Sequence, residues 1–165
     1  MKYIRLILVT AVLISVLAGC SESPASDAPT FYYLLAQPEF GSDGSIIGSE
    51  SRPSAEGNNQ LRYLLALYLS GPIDESLRSP VPNSTAILDL HFEGSCLHLT
   101  MNGAFSILGS VDITRACACI ALTVFECSDA QSIVIHYTET ASGVSKALNF
   151  SRDTLMLHDS LTPDP

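Results

Sequence analysis

The chain has 165 residues and carries 17 Asp and Glu against 8 Lys and Arg, a formal net charge of -9. An acidic chain without a Lys/Arg cluster is repelled by nucleic acid and by anionic headgroups, so neither is expected as a partner held by charge. It has no tryptophan, no internal repeat and no low-complexity core, and its length suits one modest domain.

Lys2 and Arg5 form a short positive n-region, and residues 6–18 (LILVTAVLISVLA) supply an apolar segment. That segment has the length of a signal-peptide h-region and falls below the roughly 20 apolar residues a bilayer span needs. No positive cluster follows to hold a stop-transfer orientation; Glu22 and Asp27 are the nearest charges. Residues 17–20 (LAGC) match the bacterial lipobox. Small residues before the cysteine let a peptidase reach the bond, and the Cys20 thiol is the expected site of diacylglycerol attachment. The alternative is a plain anchor helix with an incidental cysteine; n-region, h-region, lipobox and polar tail together favour the lipoprotein.

The expected division is a signal peptide at 1–19, a lipidated flexible tether at 20–30, a domain at 31–158 and a disordered tail at 159–165. Two acyl chains, each worth about 0.8 kcal/mol per buried methylene, anchor firmly where one chain holds only marginally. The tether, SESPASDAPT from Ser21, has no apolar periodicity and is rich in Ser, Pro and acid. Removing 1–19 takes away Lys2 and Arg5 and moves the formal charge from -9 to -11. Such a domain would not lie on a membrane by electrostatics, so the lipid is its expected attachment, on the extracytoplasmic face.

Residues 31–37 (FYYLLAQ) are aromatic-rich, stop at Pro38 and read as a strand. A turn-rich stretch leads to a second extended piece, 46–52 (IIGSESR), ended by Pro53. Glu50 and Arg52 share one face of it, and the expectation is a solvated strand face. Asn58 or Asn59 is the expected cap of a helix in which Leu61, Leu64, Leu65 and Tyr68 recur at core-facing spacing, with Tyr63 and Leu67 widening the apolar surface. Gly71 and Pro72 end it, glycine tolerating the left-handed cap and proline forbidding continuation.

After a polar connector, residues 86–92 (AILDLHF) and 95–101 (SCLHLTM) read as a hairpin about a Glu93-Gly94 turn. In that register Leu90 faces Leu97, Leu88 faces Leu99 and Ala86 faces Met101 on the buried side. Asp89 then faces His98, and His91 faces Cys96, on the other. Ser110 is the expected cap of a second helix with Ile113, Cys117, Ile120, Ala121 and Val124 buried and Cys119 roughly opposite. Residues 132–138 (SIVIHYT) form a strand, and 144–150 and 154–157 add one or two short ones. The order predicts an α+β domain: two helices packed on one face of a small mixed or antiparallel sheet.

These residues carry a resemblance. The aromatic FYYLL, the ESR at 50–52, the LRYLLALYLSGP helix at 61–72, the proline-bearing turn and hairpin SPVPNSTAILDLHFEGSCLHLTM, the helix ITRACACIALTVFE and the strand SIVIHYTE together resemble the GerMN domain of sporulation and spore-germination proteins. The likeness covers residues 31–139. The chain departs from the family pattern where Thr and Gln usually precede the closing strand and Cys-Ala-Cys stands instead, and where the usual glycine is delayed to Gly143. The resemblance implies a non-enzymatic, membrane-linked lipoprotein with a fold like the ring-building modules that assemble through helix-on-sheet contacts in sporulation channel complexes. Partners are then the membrane, through diacylglyceryl-Cys20, and proteins of a sporulation or envelope complex, other copies of the chain among them.

Enzyme motifs are absent: there is no Walker loop, nucleophile elbow, His-Glu-x-x-His or dinucleotide glycine fingerprint. Asp89, His91, Cys96 and His98 gather zinc-ligand types on the polar side of the hairpin, and His136 joins if the last strand lies alongside. An alternating strand places polar residues outward in any case, and paired C-x-x-C motifs are missing, so no metal is expected. Arg115, one turn before Cys119, could lower its thiol pKa, but no histidine is placed as a base. Neither catalytic residue nor cofactor is expected, and Cys20 is the one site residue. Cys96, Cys117, Cys119 and Cys127 allow three disulfide connectivities; free, partly buried thiols are the preferred reading. Asn83 and Asn149 have glycosylation spacing, without meaning behind a bacterial lipobox. The alternatives to the main reading are a small metal- or thiol-dependent extracytoplasmic enzyme and a lipoprotein binding the cell wall or a small ligand.

Overall fold

In a computed structural model, residues 28–37, 45–53 and 60–155 are described. The signal peptide, Cys20, most of the tether, the cap positions Asn58 and Asn59, and the tail lie outside them. Among the described residues no helix is long and apolar enough to cross a membrane.

Among the described residues, seven strands and two helices follow in the order β1 Thr30–Leu35, β2 Ile47–Ser51, α1 Leu61–Leu69, β3 Leu77–Arg78, β4 Ile87–Glu93, β5 Cys96–Met101, α2 Ser110–Cys127, β6 Ser132–Thr138 and β7 Ser145–Ser151, with a 3₁₀ turn at Gly103–Ile107. The class is α+β, as expected, but the strands form two sheets where the sequence suggested one. β2-β1-β3 is antiparallel throughout. β4-β5-β6-β7 is mixed, with β5 and β6 parallel and both flanking pairs antiparallel. The parallel pair is possible because α2 provides the crossover that parallel neighbours require. β3 lies in what reads as a polar connector, and the expected strand at 154–157 is not formed: 152–154 turn, Leu155 is irregular, and 156–157 fall outside the described residues.

Helix α1 buries Leu64, Leu65 and Tyr68, with Leu61, Tyr63 and Leu67 packed at its margins. It ends as its sequence demands. Ser70 stays helical and Gly71 turns with φ +89, a conformation glycine adopts without a Cβ clash, before Pro72. The N-cap position holds Gln60, whose side chain makes no capping hydrogen bond.

Helix α2 corrects the expectation most. Its predicted stripe is buried, but so are Ala116, Cys119, Leu122, Thr123 and Phe125. The cause is the second sheet: α2 packs on β1 of one sheet and on β6 and β7 of the other. A helix held between two sheets keeps only a narrow outer stripe, which includes Val111, Asp112, Thr114 and Glu126, and Cys119, expected opposite the core, has 0% exposure. Thr123 is the polar residue on this second interface. Its hydroxyl donates to the Cys119 carbonyl and accepts from the Tyr32 N–H at 3.0 Å. Ser110 is the first helical residue rather than the cap, which is Gly109.

The hairpin turn is also displaced. Glu93 pairs with Cys96, so Gly94 and Ser95 make the two-residue turn. Gly94 has φ +61 at its first position, where a type II′ turn calls for glycine. The partners become Phe92 with Leu97, His91 with His98, Leu90 with Leu99 and Asp89 with Thr100. A shift of one turn position moves each pairing by two residues, so the faces survive near the turn. Further along, an irregularity between Ile87 and Asp89 changes the phase. Ile87, which simple alternation puts on the outer side with Asp89, packs against the core, while Leu88, expected on the buried side, is 65% exposed. Leu97, Leu99 and Met101 of β5 are buried as expected.

Candidate functional site

The outer face of the four-stranded sheet holds the constellation foreseen in the sequence, differently paired. β4 contributes Asp89, His91 and Glu93; β5 contributes Cys96 and His98; β6 contributes His136. Because β6 lies parallel beside β5, His136 sits opposite Thr100 and diagonal to His98. The rings of His91 and His98 stack with centroids 5.2 Å apart, and those of His98 and His136 at 5.4 Å. His98 Nδ1 and His136 Nε2 are hydrogen-bonded at 3.1 Å. Asp89 is bonded to His91, not to His98: Oδ2 lies 2.7 Å from His91 Nδ1, and that bond holds the carboxyl below its ordinary range. Glu93 reaches His91 Nε2 at 3.7 Å and His98 Nε2 at 3.5 Å.

Chemically this is a row of three imidazoles with carboxylates at one end. Two facing ring nitrogens share one hydrogen, so the His98–His136 bond needs one nitrogen as acceptor. A depression of about 270 Å³ beside the row is lined by His91, Thr100, His136, Thr138 and Ser145. Cys96, next to His98 on its strand, directs its thiol to its own strand at Leu97 O. Among the described residues no three His, Cys, Asp or Glu side chains are arranged to hold a metal ion.

The thiols are free at all four domain positions. Burial, with the neighbouring Cys119 adding to it, pushes Cys117 up to about 12. Cys119 is likewise pushed up to about 12 by burial, only partly offset by Arg78. Arg115 instead pairs with Asp112 on the solvent side, at 3.4 Å. Nucleophilic cysteines need access and a lowered pKa, and Cys119 has neither.

Glu50 and Arg52 form the densest polar cluster, and they are not solvated. Arg52 is 5% exposed. Its Nε donates to Glu50 at 2.6 Å, Nη1 to Leu67 O at 3.3 Å and to Ser70 Oγ at 3.5 Å, and Nη2 to Tyr33 OH at 3.0 Å and to Gly71 O. All five guanidinium hydrogens are thereby engaged. Glu50 also accepts from the N–H groups of Ile73 and Asp74. Burial alone would raise its pKa, but the bonds from Asp74, Arg52 and Ile73 outweigh burial and hold it below the ordinary value. Tyr33, whose hydroxyl donates to Tyr68 O, stacks on Tyr68 at 4.9 Å.

Sequence reasoning missed a second arginine of the same kind. Arg152, just past β7, donates from Nη2 to Phe125 O and Ser128 O, and from Nε to Ala130 O. Neither helix has a basic residue in its last turn. Each instead receives an arginine from a strand end, which satisfies its orphan carbonyls and opposes the negative end of its dipole. No local signal marks such a distant cap.

No family model matches the chain, and no curated protein sequence matches it. Among solved structures, the fold is similar to the first GerMN domain of the sporulation protein GerM from Bacillus subtilis. The likeness has 12% identity and a TM-score of 0.49, and it covers 75% of this chain and 98% of that domain.

Proposed function

We propose that this chain is a non-enzymatic, lipid-anchored protein of the extracytoplasmic membrane face, whose α+β domain makes contacts in a sporulation or spore-germination assembly. The observation that carries the reading is the lipobox at 17–20, set after a short h-region and before a polar tether that ends where β1 begins at Thr30. The sporulation part rests on the GerMN pattern of residues. Its aromatic strand, Glu50, Arg52 and Gly71-Pro72 converge on the single buried cluster described above. A pattern spent on internal bonding specifies a scaffold, and leaves function to surfaces. A tether of about ten residues reaches at most ~35 Å when fully extended, which favours membrane-proximal partners. A thiol-dependent enzyme is disfavoured by the burial of Cys117 and Cys119.

Intact-mass analysis of the mature N-terminus tests the anchoring. A diacylglyceryl-cysteine at position 20 is expected, and Cys20→Ala should yield a secreted product or an uncleaved precursor. Membrane-bound, fully processed protein from that variant would refute the anchor. Expression followed through sporulation tests the second half: a chain made equally in growing and sporulating cells is not a sporulation component.

A further inference from the structure

We infer that the free edge of β4 is a docking site for a second copy of this chain, the two β4 strands pairing antiparallel about a two-fold axis at Leu90. β4 is the terminal strand of its sheet, and nothing pairs with its outer edge among the described residues. Because Glu93 and Cys96 close the two-residue turn, the alternation of the ladder directs the N–H and C=O of Phe92 and Leu90 away from β5, along that edge. Two exposed apolar side chains lie there, Leu88 at 65% and Phe92 at 48%.

The pattern of the strand is self-complementary when the axis lies at Leu90. With the axis at Leu90, Leu88 meets Phe92 of the second copy, and Asp89 meets His91 of the second copy; the symmetry repeats each pair. Shifting the axis to His91 places His91 on itself and Asp89 against Glu93, a like-charge contact that costs where the first register gains. A two-fold interface must be complementary to itself; of these two arrangements, the first is. The other edge of the sheet, β7, lacks this property: a two-fold at Leu148 would set Lys146 against Phe150. Beside β4 a groove of about 390 Å³, lined in part by Ala66, Leu69 and Ile87, lies between the strand and α1. It is placed to take the Phe92 ring of the second copy. Arg62, Ser70 and Thr85 complete the lining on its polar side. The inference rests on the edge geometry alone and holds whether or not the chain is lipid-anchored.

Disulfide trapping of the mature full-length chain in detergent micelles tests the register. Asp89→Cys and His91→Cys chains should give little cross-linked dimer separately and severalfold more when mixed, because positions 89 and 91 face each other only across the axis. Dimer from His91→Cys alone at the level of the mixture, or no dimer from the mixture above the wild-type background, overturns the proposal. Sedimentation supplies an independent arm. Asp89→Lys should weaken dimerisation roughly tenfold, since two attractive pairs are lost together. Adding His91→Asp should restore it. Unchanged association in Asp89→Lys, or no restoration by the swap, is equally fatal, provided the urea midpoints confirm that each variant is folded.

Discussion

Two regions of this domain hold similar polar side chains and use them in opposite ways. Around Arg52, a carboxylate, a guanidinium and a phenol are drawn into the interior, and every guanidinium hydrogen has a partner. On the outer face of the second sheet, carboxylates and imidazoles stand at the surface, linked to one another and stacked in a row. The first cluster ties β1 and β2 to the end of α1, and its loss strikes the fold. The second spans three strands whose register is already fixed by Leu97, Leu99, Ile133 and Ile135 beneath it, and its loss leaves the fold standing. A charged residue's effect therefore depends on whether its partners are fixed backbone groups or other mobile side chains.

The largest expected effect comes from Arg52→Met, which keeps much of the stem volume and removes the charge. It strands Glu50 beside the protein interior and leaves the Leu67 and Gly71 carbonyls without their donor. Breaking a buried pair from one side costs about 3–5 kcal/mol, read as a lower urea midpoint with an unchanged slope. A loss under ~1 kcal/mol would mean that the cluster is ornamental and that the contrast between the two regions is false.

Glu50 gives the same contrast a pH signature. Its folded pKa is depressed below the ordinary 4.5, so its contribution is fully present above that value and is lost as pH falls through the folded value. The stability gap between wild type and Glu50→Gln should accordingly be widest near neutral pH and shrink on acidification through and below pH ~4.5. A gap that stays constant from pH 6 to pH 3 would show that the carboxylate's ionisation contributes nothing.

Thiol labelling sharpens the picture of what covers α2. Cys117 and Cys119 are both fully buried and pushed up to about 12, so both should resist a maleimide in the native protein and react on unfolding. Cys96 and Cys127, half-buried, should react first, with peptide mapping separating the sites. Rapid native labelling of Cys119 would mean that the first sheet does not close over α2.

Much of this fold can be read from local chemistry. The stripe of α1, its Gly71-Pro72 stop, the β5 leucines and β6 follow from period, propensity and turn residues, which act over a few positions. What could not be read depends on partners far along the chain. Nothing within β1 or α2 says that the sheet containing β1 will cover Cys119, and nothing near α1 or α2 announces Arg52 or Arg152 as their caps. Glu50-x-Arg52 reads as a solvated strand face because alternation alone cannot tell a solvent side from a side closed by another element. The phase change at Leu88 is of the same kind: Ala86-Ile-Leu-Asp-Leu fits either phase, and the pairing with Met101 selects the one that buries Ile87. The histidine row was half legible, since residue types and strand face were right but the turn position was not.

The smallest expected effect tests the outer face itself. His98 is the middle ring of the row, 20% exposed, stacked on both neighbours and bonded to His136. Its backbone is held by pairs on both sides, to His91 and to Val134, independent of its ring. His98→Gln keeps a polar group of similar reach and removes the stack. Neutral side-chain hydrogen bonds contribute about 0.5–1.5 kcal/mol net, and glutamine or water can replace part of that, so a loss of about 0.5 kcal/mol is expected. The same substitution should leave the protection of Cys117 and Cys119 untouched, because the core beneath does not depend on the ring. If His98→Gln instead approaches the cost of Arg52→Met, or exposes the buried thiols, then the imidazole row holds the second sheet together, and its residues were placed for stability rather than left free for contact.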